Sequence, residues 1–417
     1  MTELEHPTYE VVVVGGGPAG LTTALYTTRL GHRTAVFEKE GGRHAAVTHV
    51  HNLLGVSEDV SGAQLAEHGV RQLESYGADF YPDAVDSVRR VGGGGESENA
   101  ETEDGDGAGV ETENENGSEN ENENENEGRF RLKAAHATVL ADRVVFATGF
   151  ADRGPEVPGL QQFTGRGLHY CLHCDAYTLG DGSVFVLGHD ESAAHVAMTM
   201  CNFTDDVDLL LDGHDPEWDA ETDAQVRAHP VDRIELAVVS TYPDDESGRD
   251  SGRAGREDEP WLGGFEFADG TERDYLGGFA MYGMEYNTGL ATDIGCECTD
   301  EGALEVDDDF ETSVDGVYAV GDVTHGQNQT TIAIGDGAKA GLAIHEELRR
   351  YPRSLEDLAA DGALDSASVD AEGADSAVDA DPGELDVPGS ADDLRARMRR
   401  VRQLETHPGF REPRPGE

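Results

Sequence analysis

Cys171-Leu172-His173-Cys174-Asp175 sets two thiols at the spacing that closes a small disulfide ring, with a carboxylate directly behind the second sulfur. In a chain with five cysteines this reads as a redox pair, since one thiolate can be stabilised while the two sulfurs exchange a bond. Asp175 could move the proton. The competing reading is a zinc site, for which His169, Cys171, His173 and Cys174 are candidate ligands, but no second CxxC or HxxxH supports it. Cys296 and Cys298 read as packing or solvent-side thiols, and Cys201, in an apolar helical stretch, reads as core.

The second constellation is Gly15-Gly16-Gly17-Pro18-Ala19-Gly20, which follows an apolar strand, opens a helix and precedes a second strand ending at Glu38. That order matters more than the glycines themselves. Gly15 permits the tight turn, Gly17 lets a pyrophosphate approach the helix N-terminus, Gly20 allows helix to pack on strand, and Glu38 can take ribose hydroxyls. The third is VYAVGDVTHGQNQTTIAIGDGAKAGLAIHEEL, in which a strand ends at Gly321-Asp322 and a helix starts near Gln329. Its small residues, among them Ala333, Gly337 and Ala340, let another element pack closely against it.

These sites need two or three domains to hold them, given 417 residues at roughly 150 per domain. A formal net charge of −56 with only three lysines (Lys39, Lys133, Lys339) spreads acid over the whole chain, as in proteins adapted to molar salt. The sign of that charge argues against nucleic-acid binding. No run of about 18 apolar residues and no basic, then apolar, leader is present, so no membrane span or secretory signal is expected and a cytoplasmic location is the default.

Residues 91–128 are nearly all acidic or polar and are expected to be a disordered insert. The flanking AVDSVRRV and GRFRLKAAHATVLADRVVFATG alternate apolar with polar like adjacent antiparallel strands, which puts the insert at a hairpin tip. A second acidic insert, 244–259, separates the strands IELAVVS and GGFEFADGTERDYLGGFAMYG. An Ala/Asp/Gly linker over 359–389 leads to SADDLRARMRRVRQLE, a terminal helix with Ser390 as its N-cap.

Taken together, GGGPAG, FATGF at Phe146 to Phe150, CxxCD and GDV…QTTIAIGDGAKA resemble the low-molecular-weight thioredoxin reductases over roughly residues 9–350, inserts excepted. The resemblance implies an α/β fold with two Rossmann-like three-layer domains. An FAD-binding domain, 1–165 and 288–350, would be interrupted by an NAD(P)-binding-like domain, 166–287, and followed by the 351–417 linker and helix. It further implies FAD on Gly15, Gly17, Pro18, Ala19 and Gly20, with Glu38 at the adenosine ribose, Asn52, Thr148 and Gly149 near the flavin, and Asp322 at the ribityl chain. Gln329 and Thr330 would start a helix aimed at the pyrimidine side of the isoalloxazine. YGMEYNTGL, Tyr282 to Leu290, resembles the return of the chain between domains. The catalytic set is then Cys174 as the flavin-proximal sulfur, Cys171 as the exchanging one and Asp175 as acid/base. A thioredoxin-like protein or a small dithiol or disulfide would be the partner, and the assembly a homodimer.

The second domain departs from that pattern. Its fingerprint reads Gly188-His189-Asp190-Glu191-Ser192-Ala193, with two carboxylates where a dinucleotide's phosphates would lie, and no arginines follow its second strand. Poor use of NADPH is expected. Asp212 could accept the free ribose of NADH, while reduced ferredoxin and a substrate dithiol are the other candidate electron partners. The Arg43, His44, His49, His51, Asn52 loop and CLHCDAY also resemble a branch of dithiol oxidases that dispenses with the nicotinamide and ends at O2, although that branch commonly has His where Asp175 stands. Three functions are therefore weighed: an FAD disulfide oxidoreductase, a dithiol oxidase, and a flavoprotein that binds without turnover. The CxxC argues against the last.

Overall fold

The computed structural model describes residues 6–39, 41–91, 130–244, 260–324, 326–349, 395–398 and 400. The larger part of both acidic inserts and the linker lie outside the described residues, as does all of the terminal helix except 395–398 and 400.

The strand Thr8–Val14 ends in four consecutive valines because both of its faces are covered there, as in parallel sheets generally. Val11 and Val13 pack beneath the helix side with Ala24 and Ile344, while Val12 and Val14 pack on the opposite face with Phe130, Leu304 and Val317. Among the described residues this sheet has seven strands, running in order 79–81, 34–37, 8–14, 138–146, 130–134 and 85–90, with 317–319 also on 138–146. Thr138–Phe146 therefore works twice. Its first residues pair antiparallel with Phe130–Ala134, and its last three pair parallel with Val317–Ala319.

Val85–Arg90 and Phe130–Ala134 are antiparallel partners with Arg90 opposite Phe130, so residues 91–129 connect the two ends of a hairpin, where the sequence pattern puts them. Pro18–Arg29 lies against Thr330–Leu348. Contact is close because a Cβ on Gly337 would collide with the Ala19 carbonyl, which is the use of the small residues in that helix.

The second unit is a five-stranded parallel sheet in order 231–234, 207–210, 184–187, 277–280 and 168–169. A three-stranded antiparallel sheet, 238–243, 262–267 and 272–274, covers one of its faces around Phe185, Phe265 and Tyr275. IELAVVS is not one strand. It splits into Val231–Ile234 in the parallel sheet and Val238–Pro243 in the antiparallel one, and the break is fixed by Asp212, whose Oδ1 accepts the Val238 N–H at 2.8 Å. GGFEFADGTERDYLGGFAMYG likewise contributes three strands to two sheets. Apolar alternation carries no signal for such a change of partner.

Phe150–Asp152 and Met284–Tyr286 form an antiparallel ribbon at the two crossings between the units. No described helix is long and apolar enough to cross a membrane.

Candidate functional site

Gly15 sits at φ 114°, and a Cβ there would collide with the Ala147 carbonyl; this is the turn that needs glycine. Gly17 is the N-cap of Pro18–Arg29, with no side-chain cap, so the first-turn N–H groups are left for an external acceptor. A Cβ on Gly17 would meet nothing within 4 Å, which leaves a cradle in front of those N–H groups. The neighbouring cavity is about 570 Å³, within the range of about 300–1,000 Å³ common for cofactor sites.

That one cavity collects all but one of the residues that the resemblance assigns to FAD and to catalysis: the loop residues Gly15, Gly17, Pro18 and Ala19, then Glu38, Asn52, Thr148, Gly149, Asp322, Gln329 and Thr330, and also Cys171, Cys174 and Asp175. Gly20 is outside it. A Cβ there would strike the Gly15 carbonyl oxygen, so Gly20 serves helix packing and does not line the cavity. Glu38 lines the cavity, but its carboxylate accepts the Gly16 N–H at 2.5 Å and the Gly41 N–H at 2.9 Å, tying the glycine loop to the next one. Thr148 and Gly149 are pinned to Asn287, whose amide donates to the Thr148 carbonyl at 2.9 Å. Burial raises the Asp322 carboxyl above the usual carboxylate range, opposed by Arg43. Arg43 itself is held by Asp152 at 2.7 Å and lies over the Phe150 ring.

The cysteines are bonded to each other, Cα to Cα 5.3 Å, at the start of the short helix Leu172–Asp175. Gln329 connects them to the rest of the cavity. Its Nε2 lies 3.6 Å from the Cys171 Sγ and 4.0 Å from the Cys174 Sγ, and also donates to the Asn328 carbonyl at 2.9 Å. Its Oε1 accepts from the Asn52 amide at 2.9 Å, so both ends of the Gln329 side chain are fixed. Sequence reading placed Asn52 and Gln329 near a flavin and had no signal for this contact with sulfur. It also missed the pairing of His169, a zinc candidate there, with Asp175: Nδ1 to Oδ2 is 3.1 Å. Among the described residues no three His, Cys, Asp or Glu side chains converge as metal ligands. Of the loop histidines, His44 and His49 are both lowered from the usual histidine value by burial, and His49 also feels His51 and, in the opposite sense, Asp175.

The second glycine loop is arranged differently. Asp190 is the N-cap of Glu191–Met200, its Oδ1 accepting the Ala193 N–H at 2.9 Å, and Glu191 lies in the first turn. The His189 ring stacks on His214, centroids 4.4 Å apart, with the Tyr282 ring edge-on at 5.9 Å. Asp212, at φ 52°, is committed to the Val238 N–H.

Two α/β units hold a bare glycine loop and a disulfide on one cavity. The chain belongs to the pyridine nucleotide-disulphide oxidoreductase family, whose model matches residues 9–337. It is 30% identical over 349 residues to one subunit of the alkyl hydroperoxide reductase of Pseudomonas putida, covering 82% of this chain and 58% of that protein. It is 26% identical over 341 residues to a thioredoxin reductase of Peptoclostridium litorale, covering 80% of this chain and 95% of the relative. The chain thus spans little more than half the length of the first relative and nearly all of the second. Among solved structures, the thioredoxin reductase of Streptococcus pyogenes shares the fold, with a TM-score of 0.66 at 24% identity over 82% of this chain and 99% of that one. HlmI has the same TM-score, 0.66, at 26% identity over 86% of this chain and 96% of its own. The chain thus belongs to a family of disulphide oxidoreductases and is similar over most of its length to a thioredoxin reductase.

Proposed function

We propose that the chain moves electrons between FAD, the Cys171–Cys174 disulfide and a thioredoxin-like protein or small dithiol or disulfide. The observation that carries this reading is that the disulfide and the bare glycine loop open on one cavity. FAD would be held by the first-turn N–H groups behind Gly17, with Asp322, Asn52 and Gln329 further along the cavity. When bound it supplies a two-electron carrier beside the sulfurs. The protein's own part is to hold the disulfide where a substrate sulfur can reach Cys171, to orient the Gln329 amide toward both sulfurs, and to keep Asp175 close enough to exchange a proton. The chain is read as a cytoplasmic homodimer, with an FAD-binding domain over 1–165 and 288–350 around a second domain at 166–287.

Cys174→Ser and Cys171→Ser test this. The first is expected to alter the flavin spectrum and abolish dithiol turnover, and the second to leave a thiolate that interacts with the flavin. Equal turnover in both variants would remove the pair from the mechanism.

A second reading, that the enzyme works without NAD(P)H as a dithiol oxidase with O2 as acceptor or as a ferredoxin-linked reductase, is favoured by the second glycine loop. Asp190 occupies the helix N-terminus that a pyrophosphate would need, and Asp212 is engaged by backbone. Anaerobic mixing of the yellow protein with NADPH, NADH, reduced ferredoxin or a dithiol separates the readings by which reagent bleaches the flavin.

A further inference from the structure

Asp175 has a partner of its own. His169 ends the short strand Leu168–His169, and its ring is nearly covered, with a side chain 10% exposed. Nδ1 faces the Asp175 carboxylate at 3.1 Å, while Nε2 is buried and has no hydrogen-bond partner. Phe279 packs beside the ring, centroids 6.1 Å apart. A buried N–H without an acceptor costs more than a bare lone pair, so the hydrogen belongs on Nδ1, the ring nitrogen 3.1 Å from the Asp175 carboxylate. His49 is coupled to Asp175 by charge, and its ring stacks on His51; His173 shares the short helix with Asp175.

We propose that His169 is a positioning residue for thiol–disulfide exchange: its Nδ1–H fixes the Asp175 carboxylate beside the Cys171–Cys174 bond as the proton acceptor. This rests on the reading that the pair exchanges with a substrate thiol. In the exchange the proton of the incoming thiol passes to the Asp175 carboxylate while its sulfur bonds to the Cys171 Sγ. The Cys171–Cys174 bond breaks, its electron pair leaving on Cys174 as thiolate. A second thiol of the same dithiol then gives its proton to the Cys174 thiolate and displaces Cys171, leaving an oxidised substrate, a Cys174 thiol, a Cys171 thiolate and the first proton on Asp175.

Two amides separate this role from structural support. Asn places its N–H near the position of Nδ1, whereas Gln places it near Nε2. The flavin-loaded protein is treated anaerobically with dithiothreitol between about pH 5 and about pH 9, quenched by alkylation, and the reduced fraction of Cys171 and Cys174 is read by peptide mass spectrometry. Flavin content and melting temperature are recorded for every variant. His169→Gln is expected to slow reduction of the disulfide by about tenfold near neutral pH. His169→Asn is expected to stay within about twofold of the parent at every pH. Equal slowing by Asn and Gln, or a Gln profile matching the parent, overturns the proposal. A parent protein whose disulfide does not react with dithiothreitol, alone or with Asp175→Asn, would instead overturn the exchange reading beneath it.

Discussion

The two glycine loops hold the same place in two units of similar topology, and the residue at the helix N-cap differs. Gly17, at φ −74° and ψ 179°, and Asp190, at φ −90° and ψ 175°, share one backbone conformation. Gly17 leaves the first-turn N–H groups bare, whereas Asp190 supplies the helix with its own carboxylate. An N-terminus and its dipole act on whichever anion is nearest. A bare end leaves its N–H groups to an external acceptor, whereas in a capped end one of them is already taken by a side chain. Topology alone therefore does not confer the ligand.

The sharpest test exchanges the caps. Gly17→Asp copies Asp190 into the first unit, and since a Cβ at Gly17 meets nothing within 4 Å the chain is expected to fold. The new carboxylate would cap the helix and repel the pyrophosphate. Flavin in the purified protein is expected to fall by at least about tenfold, with a melting temperature in the flavin-free state equal to or above that of the parent. Full retention of flavin would mean that the bare N-terminus is not what holds it.

The second test asks whether the second loop is closed by charge or by packing. Molar salt shortens the Debye length from about 10 Å to about 3 Å, which weakens the repulsion from Asp190 and Glu191 but leaves the His189–His214 stack and the Asp190 cap in place. Flavin bleaching by NADPH in stopped flow is expected to be at least about tenfold slower than by a dithiol, in both dilute buffer and molar KCl. Rapid bleaching that appears only at high salt would assign the closure to charge; rapid bleaching at any salt would end the comparison. The same KCl series should raise the melting temperature, because a net charge of −56 opposes compaction most when screening is weak.

The difference between the loops was visible in the sequence, because Gly17 and Asp190 lie inside local strand–loop–helix patterns. The hairpin that carries residues 91–129 was visible for the same reason, since alternation on both sides survives a long insertion. Other features were not. His169 with Asp175, and Gln329 with Asn52 and the disulfide, are side-chain pairs set by how separate elements meet, and neither periodicity nor motif spacing encodes them. Glu38 shows a related limit. Its type and its place at the end of the second strand were legible, but that its carboxylate also accepts the Gly16 and Gly41 N–H groups was not. Gly20 was legible as a packing glycine from the loop pattern, and it was the family resemblance that also counted it among the pyrophosphate contacts.

The smallest effect concerns a feature that the two units share. Each holds a carboxylate between an arginine and a tyrosine: Glu347 with Arg143 and Tyr318 in the first, Asp208 with Arg273 and Tyr275 in the second. By its own burial Asp208 should matter more, with its side chain 4% exposed against 34% for Glu347. The stranded partner decides otherwise. Arg143 is 11% exposed and would be left buried and unpaired by Glu347→Ala, whereas Arg273 is 47% exposed and can be hydrated after Asp208→Ala. In both variants a buried tyrosine hydroxyl also loses its acceptor, which cancels in the comparison. Glu347→Ala is therefore expected to lower the melting temperature by on the order of 5 °C at neutral pH, and Asp208→Ala by about half as much. The Glu347 deficit should also depend on pH. The hydrogen bond from Arg143 holds the Glu347 carboxyl below the usual glutamate value, so its contribution is complete above the unfolded value of about 4.3 and is lost as pH falls through the lower folded one. Melting curves of parent and Glu347→Ala should converge in acid, and a deficit that stays constant from neutral pH down to about pH 3 would show that the pair acts through packing and not through charge.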